Sequence, residues 1–102
     1  MLLKHLILSI FALFNPRPKK TDAEIDAKLI AKRDSDPKYA GLEPLTSIVD
    51  LLKLFDQESG LAARADLWRD MGLDGEFNGE AEQNQRLMVE FRKVLADDNR
   101  PF

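Results

Sequence analysis

Apolar residues recur at helical spacing in the middle of the chain. In the strongest run, over residues 48–56, they fall at positions i, i+3, i+4 and i+7, which places them on one face of a helix. These positions are Ile48, Leu51, Leu52 and Phe55, and Val49 and Leu54 widen the face. Ser47 precedes the run and Asp50 follows three residues later, which resembles a capping box with Asp in place of Glu. The pattern predicts a helix over about 48–56.

A second helix follows after a short polar turn. Leu61, Ala65 and Trp68 form one stripe over about 60–71, and Ser59 stands where an N-cap residue would lie. Gly72 is suited to the left-handed conformation that ends many helices. The two runs together predict a helical hairpin.

Two further helices flank this hairpin. A capping box formed by Thr21 and Glu24 begins a helix over about 22–33, with Ile25 and Leu29 as its apolar contacts. The last helix covers about 80–96. The connections contain Pro and Gly turn signals and no strand-like runs. The sequence thus predicts an all-α fold, with a small four-helix domain over 21–96 and a polar tail over 97–102.

The predicted core gathers the apolar stripes of all four helices. Its members are Ile25, Leu29, Ile48, Leu51, Leu52, Phe55, Leu61, Ala65, Trp68, Leu87, Met88, Phe91 and Leu95.

The first 14 residues form a separate apolar segment. If helical, they present one amphipathic surface made of Leu2, Leu3, Leu6, Ile7, Ile10, Phe11 and Phe14. Pro16 and Pro18 end any such helix, because proline disfavours the helical conformation in the residue before it. Residues 1–20 are therefore expected to be an apolar helix and a basic, Pro-containing spacer.

Four roles are open for this segment. It can dock on other protein chains or on its own domain, or lie in the plane of a membrane, where the following basic residues favour an anionic surface. It can be a secretory signal peptide, although a Pro-rich stretch replaces the usual small-residue cleavage site. It can also be a core helix. The segment is too short to cross a bilayer, which requires about 20 apolar residues.

Composition and charge narrow the function classes. With 102 residues, no Cys and one His, the chain has no disulfide or thiolate metal site and lacks the residues for a His-based triad. The net charge is −3, but the first 20 residues hold four of the fifteen Lys and Arg and none of the eighteen Asp and Glu. The acidic remainder argues against nucleic-acid binding, and the basic terminus suggests a different partner from the body.

One loop has the spacing of a weak calcium-binding candidate. Asp74, Glu76, Asn78 and Gly79 match the first, third, fifth and sixth positions of a calcium loop between two helices. The twelfth position should be a bidentate Glu and is Gln85, so a polar turn is the preferred interpretation. We expect no metal and no cofactor.

Other polar residues favour structural roles. Asp66 and Asp70 lie four residues apart, as acid–base pairs can, but interleaved Arg64 and Arg69 indicate a solvated helix face. Asn84 lies on the apolar stripe of the last helix, and we expect its amide to bond the backbone of the preceding turn. Ser47 and Asp50 are assigned structural roles with it.

The central helices resemble a known family. The run of Ser47–Leu51, the turn formed by Ser59 with Leu61–Arg64, and Asn84 early in the last helix are similar to the uncharacterised bacterial family named domain of unknown function 3597. The likeness covers roughly residues 23–96, and Gly60 departs from the family pattern. The resemblance implies a small α-helical domain and contributes no catalytic residues.

These observations favour a non-enzymatic structural or adaptor protein that docks through its N-terminal helix into a larger assembly. A phage particle or a bacterial envelope complex would suit, which places the protein in a virion, in the bacterial cytoplasm or at the inner envelope surface. The expected partners are other protein chains, including further copies of itself. The alternative is a peripheral membrane protein anchored by the same helix.

Overall fold

The computed structural model describes residues 19–97, and the regular secondary structure in that range is helical, with loops between the helices. It contains helices α1 (Asp22–Asp34), α2 (Ile48–Leu54), α3 (Leu61–Asp70) and α4 (Ala81–Asp97), with a 3₁₀ turn at Pro37–Tyr39. This confirms the predicted all-α class. The predicted N-terminal helix lies outside the described residues.

The start of α1 follows from its sequence. The hydroxyl of Thr21 accepts from the backbone N–H of Glu24, and the Glu24 carboxylate accepts from the backbone N–H of Thr21, each at 3.2 Å. This is the predicted capping box. Ile25 and Leu29, one turn apart, are buried.

The cap of α2 differs from a capping box in one bond. Ser47 Oγ accepts from the N–H of Asp50 at 3.1 Å, as expected. The Asp50 carboxylate instead accepts from the backbone N–H of Glu43 at 2.9 Å. Asp50 therefore fastens the preceding loop to the first turn of α2.

Helix α2 ends at Leu54, earlier than predicted, because Asp56 adopts a left-handed conformation with φ of 58°. The N–H of Asp56 donates to Lys53 O, and the N–H of Gln57 donates to Leu52 O. This bonding pattern is a Schellman motif, with Asp where Gly is usual.

Helix α3 has a weaker start than predicted. Its N-cap is Gly60, which makes no side-chain capping bond, so the assignment of Ser59 as the cap was wrong. Its end is as expected: Gly72 has φ of 74°, and Leu73 N–H donates to Trp68 O at 3.1 Å.

The core lies between α4 and the other helices. α4 packs against α1 and α2, and the Phe55 and Phe91 rings lie 5.8 Å apart. The buried apolar residues are Ile25, Leu29, Tyr39, Ile48, Leu51, Leu52, Leu54, Leu67, Trp68, Phe77, Leu87, Phe91 and Leu95.

The predicted core needs one main correction. Leu61 is 53% exposed, and Leu67 is buried in α3 instead. Leu61 lies in the first turn of α3, where its Cδ1 would come within 2.9 Å of a Cβ placed at Gly79. It therefore covers the backbone of the turn before α4. Phe55, Ala65 and Met88 are only partly buried.

Candidate functional site

The candidate site is an open groove along the outer face of α4. It consists of two adjoining depressions of about 540 and 600 Å³, which share Leu45 and Val89. We call it the α4 groove. Its wall on α4 runs from Ala81 to Ala96, and its opposite wall is formed by residues 45–49 and by Asp22 and Asp26 of α1.

The two halves of the α4 groove differ in chemistry. The half near the start of α4 has no charged residue in its lining, although 32% of the chain is charged. The half near the end of α4 contains Asp22, Asp26, Arg92 and Lys93. Arg92 Nη2 donates to Asp26 Oδ1 at 2.6 Å, so two of these charges neutralise each other.

Two of the residues assigned structural roles, Ser47 and Asn84, line the uncharged half. Asn84 Nδ2 donates to the carbonyl of Gly79 at 3.3 Å, which is the bond expected to the preceding turn. Asn84 Oδ1 accepts from Arg64 Nη1 at 2.7 Å. Asn84 is therefore fixed on the wall of the groove from both of its polar atoms.

Arg64 connects three parts of the fold. In addition to Asn84, its Nε donates to Ser59 O at 3.1 Å, and its guanidinium lies 5.7 Å from the centre of the Phe77 ring. The interpretation of Arg64 as part of a solvated face was wrong. The signal was present in the family resemblance, which includes both Arg64 and Asn84, but helical periodicity does not show that they meet.

The acidic residues of α3 form no paired site. Asp66 pairs with Arg69 on the surface, and Asp70 is exposed. Trp68 between them is buried, and its indole N–H donates to the carbonyls of Asp74 and Gly75 at 3.3 and 3.1 Å. Its ring lies 5.6 Å from that of Phe77.

The calcium-loop candidate is organised by hydrogen bonds to neutral side chains. Gln83 Nε2 donates to Glu76 O at 2.9 Å, and Gln83 Oε1 accepts from the N–H of Asn78 at 2.8 Å. The side chains of Asp74 and Glu76 are on exposed residues. Within residues 19–97 no three His, Cys, Asp or Glu side chains lie close enough to hold a metal ion.

A second polar cluster lies beside the end of α2. The Tyr39 hydroxyl donates to the Asp56 carboxylate, at 2.8 and 2.9 Å from its two oxygens, and Lys38 Nζ lies 3.6 Å from Asp56. Burial raises the pKa of the Tyr39 phenol, and the bond to Asp56 acts in the same direction. A hydrogen bond with the Tyr39 side chain raises the pKa of the Lys38 ammonium, and the negative charge of Asp56 raises it further. No local sequence pattern indicates this cluster, because Tyr39 and Asp56 are 17 residues apart.

The residues expected to dock on a partner, Leu2 to Phe14, lie outside the described residues. The chain that leads from them is attached to the end of α4. Lys20 N–H donates to Ala96 O at 3.0 Å, Lys20 Nζ donates to Leu95 O at 3.2 Å, and Lys19 pairs with Asp97 at 3.4 Å. No helix within residues 19–97 is long and apolar enough to span a membrane.

Comparison with known proteins gives one match. No curated protein and no solved structure matches the chain. A family model described as "Domain of unknown function (DUF3597)" matches residues 11–100. This match covers nearly the whole chain, including the hairpin, Arg64 and Asn84, and the protein therefore belongs to the DUF3597 family.

Proposed function

We propose that this protein is a non-enzymatic structural or adaptor protein, and that a separate amphipathic helix at residues 2–14 docks it into a larger assembly of protein chains. A phage particle or a bacterial envelope complex would suit such a component. Further copies of the same chain are among the possible partners.

One observation carries the proposal. The residues that follow the N-terminal segment are held to the body by the Lys20 bonds to Ala96 and Leu95 and by the Lys19–Asp97 ion pair. A docking helix joined at this point would transmit its position to the body over a spacer of only four residues, 15–18. This suits an adaptor, which must place its body at a set position.

The polar residues of the body support the same role. Arg64 and Asn84 bond to each other, and each also bonds to the backbone of a turn. Asp50 accepts a bond from the loop before α2. Asp56 accepts one from the Tyr39 hydroxyl. Groups that could have served chemistry are used here to hold helices and loops together.

The membrane alternative has its own support. Arg17 and Lys19 adjoin the apolar segment, and the Lys19 side chain is 76% exposed, so it can approach anionic headgroups. Lys20 is less available, because its ammonium donates to Leu95 O.

The test compares four chains: the full-length protein, a chain beginning at Lys19, Leu6→Glu/Ile10→Glu, and the matched control His5→Glu/Ser9→Glu. The shortened chain keeps Lys19 and Lys20, because both hold the end of α4. The control adds the same charge to positions that interrupt the apolar stripe. Each is followed by gradient sedimentation of lysates from the source cells and by flotation with anionic vesicles.

We expect the full-length protein and the control to sediment well above a single chain, and the other two chains to sediment as free protein. Flotation of only the full-length protein and the control, without such a complex, would favour the membrane alternative. If all four chains behave identically in both assays, the N-terminal segment is not the functional element and both proposals are wrong.

A further inference from the structure

We propose that residues 2–14 bind in the α4 groove of the same chain, and that this segment leaves the groove when it docks elsewhere. The inference rests on the proposed function, since it assigns a resting position to the same docking helix. It makes docking a competition between an internal site and an external partner.

The length of the groove fits the segment. Its wall follows α4 from Ala81 to Ala96, about 22 Å at 1.5 Å per residue. As a helix, Leu2–Phe14 would be about 18 Å long by the same rise. The residues of α4 that line the groove recur at helical spacing, so they form one continuous stripe.

The point of attachment sets the direction. Lys20 N lies 3.0 Å from Ala96 O, so the segment joins the body at the charged end of the groove. Five residue steps separate Phe14 from Lys19 and can span up to about 17 Å. Phe14 can therefore reach the level of Ala96, which places Ile7 near Val89 and Leu2 near Asn84.

Along this direction the groove changes from an uncharged half to a charged half, and the N-terminal residues change from an apolar segment to a basic spacer. Leu2 to Ile7 would lie in the uncharged half, where Val89 is 49% exposed and Leu45, Val49 and Met88 are partly buried. The basic spacer would lie at the other end, where Asp22 and Asp26 are matched by Arg92 and Lys93. The Asp22 carboxylate lies 3.7 Å from Arg92, and its side chain is 92% exposed, so it stays accessible to a further basic side chain. The charged residues among the first 20 are all basic, whereas the remainder of the chain has an excess of acid.

Disulfide trapping tests whether the segment binds in the groove. The chain has no Cys of its own, so only the introduced pair can form a disulfide. The test variant is Ile7→Cys/Val89→Cys in the full-length protein, oxidised at about 10 µM. The control is Ile7→Cys/Leu61→Cys. Leu61 is as exposed as Val89, at 53% against 49%, but it does not line the groove.

We expect the Val89 pair to close within one chain and to run as a cross-linked monomer. Tethering alone gives the thiols of both variants an effective concentration in the millimolar range, about a hundredfold above that between chains. Binding of the segment in the groove should accelerate closure further for the Val89 pair only, so the rate ratio of the two variants is the readout. The Leu61 control should close far more slowly.

Equal closure at Leu61 and Val89, or no closure at either, would overturn the inference. A cross-linked dimer would assign the groove to the segment of a second copy and would also overturn it. The proposed function fails separately, if Leu6→Glu/Ile10→Glu sediments like the full-length protein. That result leaves the cross-linking experiment unaffected.

Discussion

Arg64 is the residue whose replacement best tests the account of the fold. In Arg64→Ala, α3 loses its bonds to Ser59 O and Asn84 Oδ1 and its contact with the Phe77 ring. A hydrogen bond to a charged group contributes roughly 1.5–3 kcal/mol, and less where water competes for it, while a cation over an aromatic ring contributes about 0.5–1 kcal/mol. Water in the open groove can reach Asn84 Oδ1 and recover part of this energy. We expect a loss of about 2–3 kcal/mol.

Arg69→Ala is the matched control, because it removes the same side chain from the same helix. Its partner is Asp66, and the two side chains are 72% and 47% exposed, so the loss should be below about 1 kcal/mol. Urea denaturation followed by circular dichroism measures the free energy of unfolding of the two variants. For a domain of this size the Arg64 variant should melt roughly 10–20 °C lower.

A double-mutant cycle isolates the central bond. Arg64→Ala and Asn84→Ala together should destabilise the protein by about 1 kcal/mol less than the sum of the two single changes. If Arg64→Ala costs no more than Arg69→Ala, or if the effects of Arg64→Ala and Asn84→Ala are additive, Arg64 does not link α3 to α4 through Asn84.

Three further predictions concern the helix ends, the tyrosine cluster and the loop before α4. Gly72→Ala should cost about 1 kcal/mol in urea denaturation, because φ is 74° and a Cβ there would meet no neighbouring atom. Gly60→Ser should stabilise the protein by a few tenths of a kcal/mol, because it supplies the missing side-chain cap. The same sign for both changes would contradict this. The raised pKa values of Tyr39 and Lys38 favour their protonated forms in the folded state, so their stabilisation is fully present below the ordinary tyrosine pKa of 10.0 and is lost as pH rises above it. Tyr39→Phe should therefore flatten the alkaline part of a plot of unfolding free energy against pH, and an unchanged slope would refute the assignment. Calorimetric titration with millimolar calcium should give no binding heat, because the loop from Asp74 lacks the bidentate acid; a saturable heat would restore the calcium interpretation.

Capping residues and glycines predicted the start or end of a helix correctly when a short local motif is enough to set the backbone conformation. Thr21 with Glu24, and Gly72, are such cases. The end of α2 was placed too late because Asp56 takes a conformation that normally indicates Gly, and the Tyr39 bond that accompanies it comes from 17 residues away. Periodicity could not anticipate a tertiary contact of this kind.

The same limit applies to the core and the site. Leu61 fits the predicted stripe of α3, but it lies in the first turn and covers Gly79, while Leu67 faces the core. The stripe of α4 was correct for Leu87, Phe91 and Leu95, since one long helix fixes their common face. The α4 groove requires the relative placement of α1, α2 and α4, which no local pattern specifies.

The contacts of Lys19 and Lys20 with the end of α4 also make this domain suited to circular permutation. A short linker from Asp97 to Lys19, with new termini between the exposed residues Ala40 and Gly41, would keep every helix intact. Pairs such as Arg92 and Asp26, now 66 residues apart, would lie much closer along the chain. The same change would lengthen the contacts that cross the new termini, such as Tyr39 with Asp56, now 17 residues apart. Because distant contacts form more slowly, the permuted protein should join α1 to α4 earlier in folding and the Tyr39 turn to α2 later, while retaining the same core.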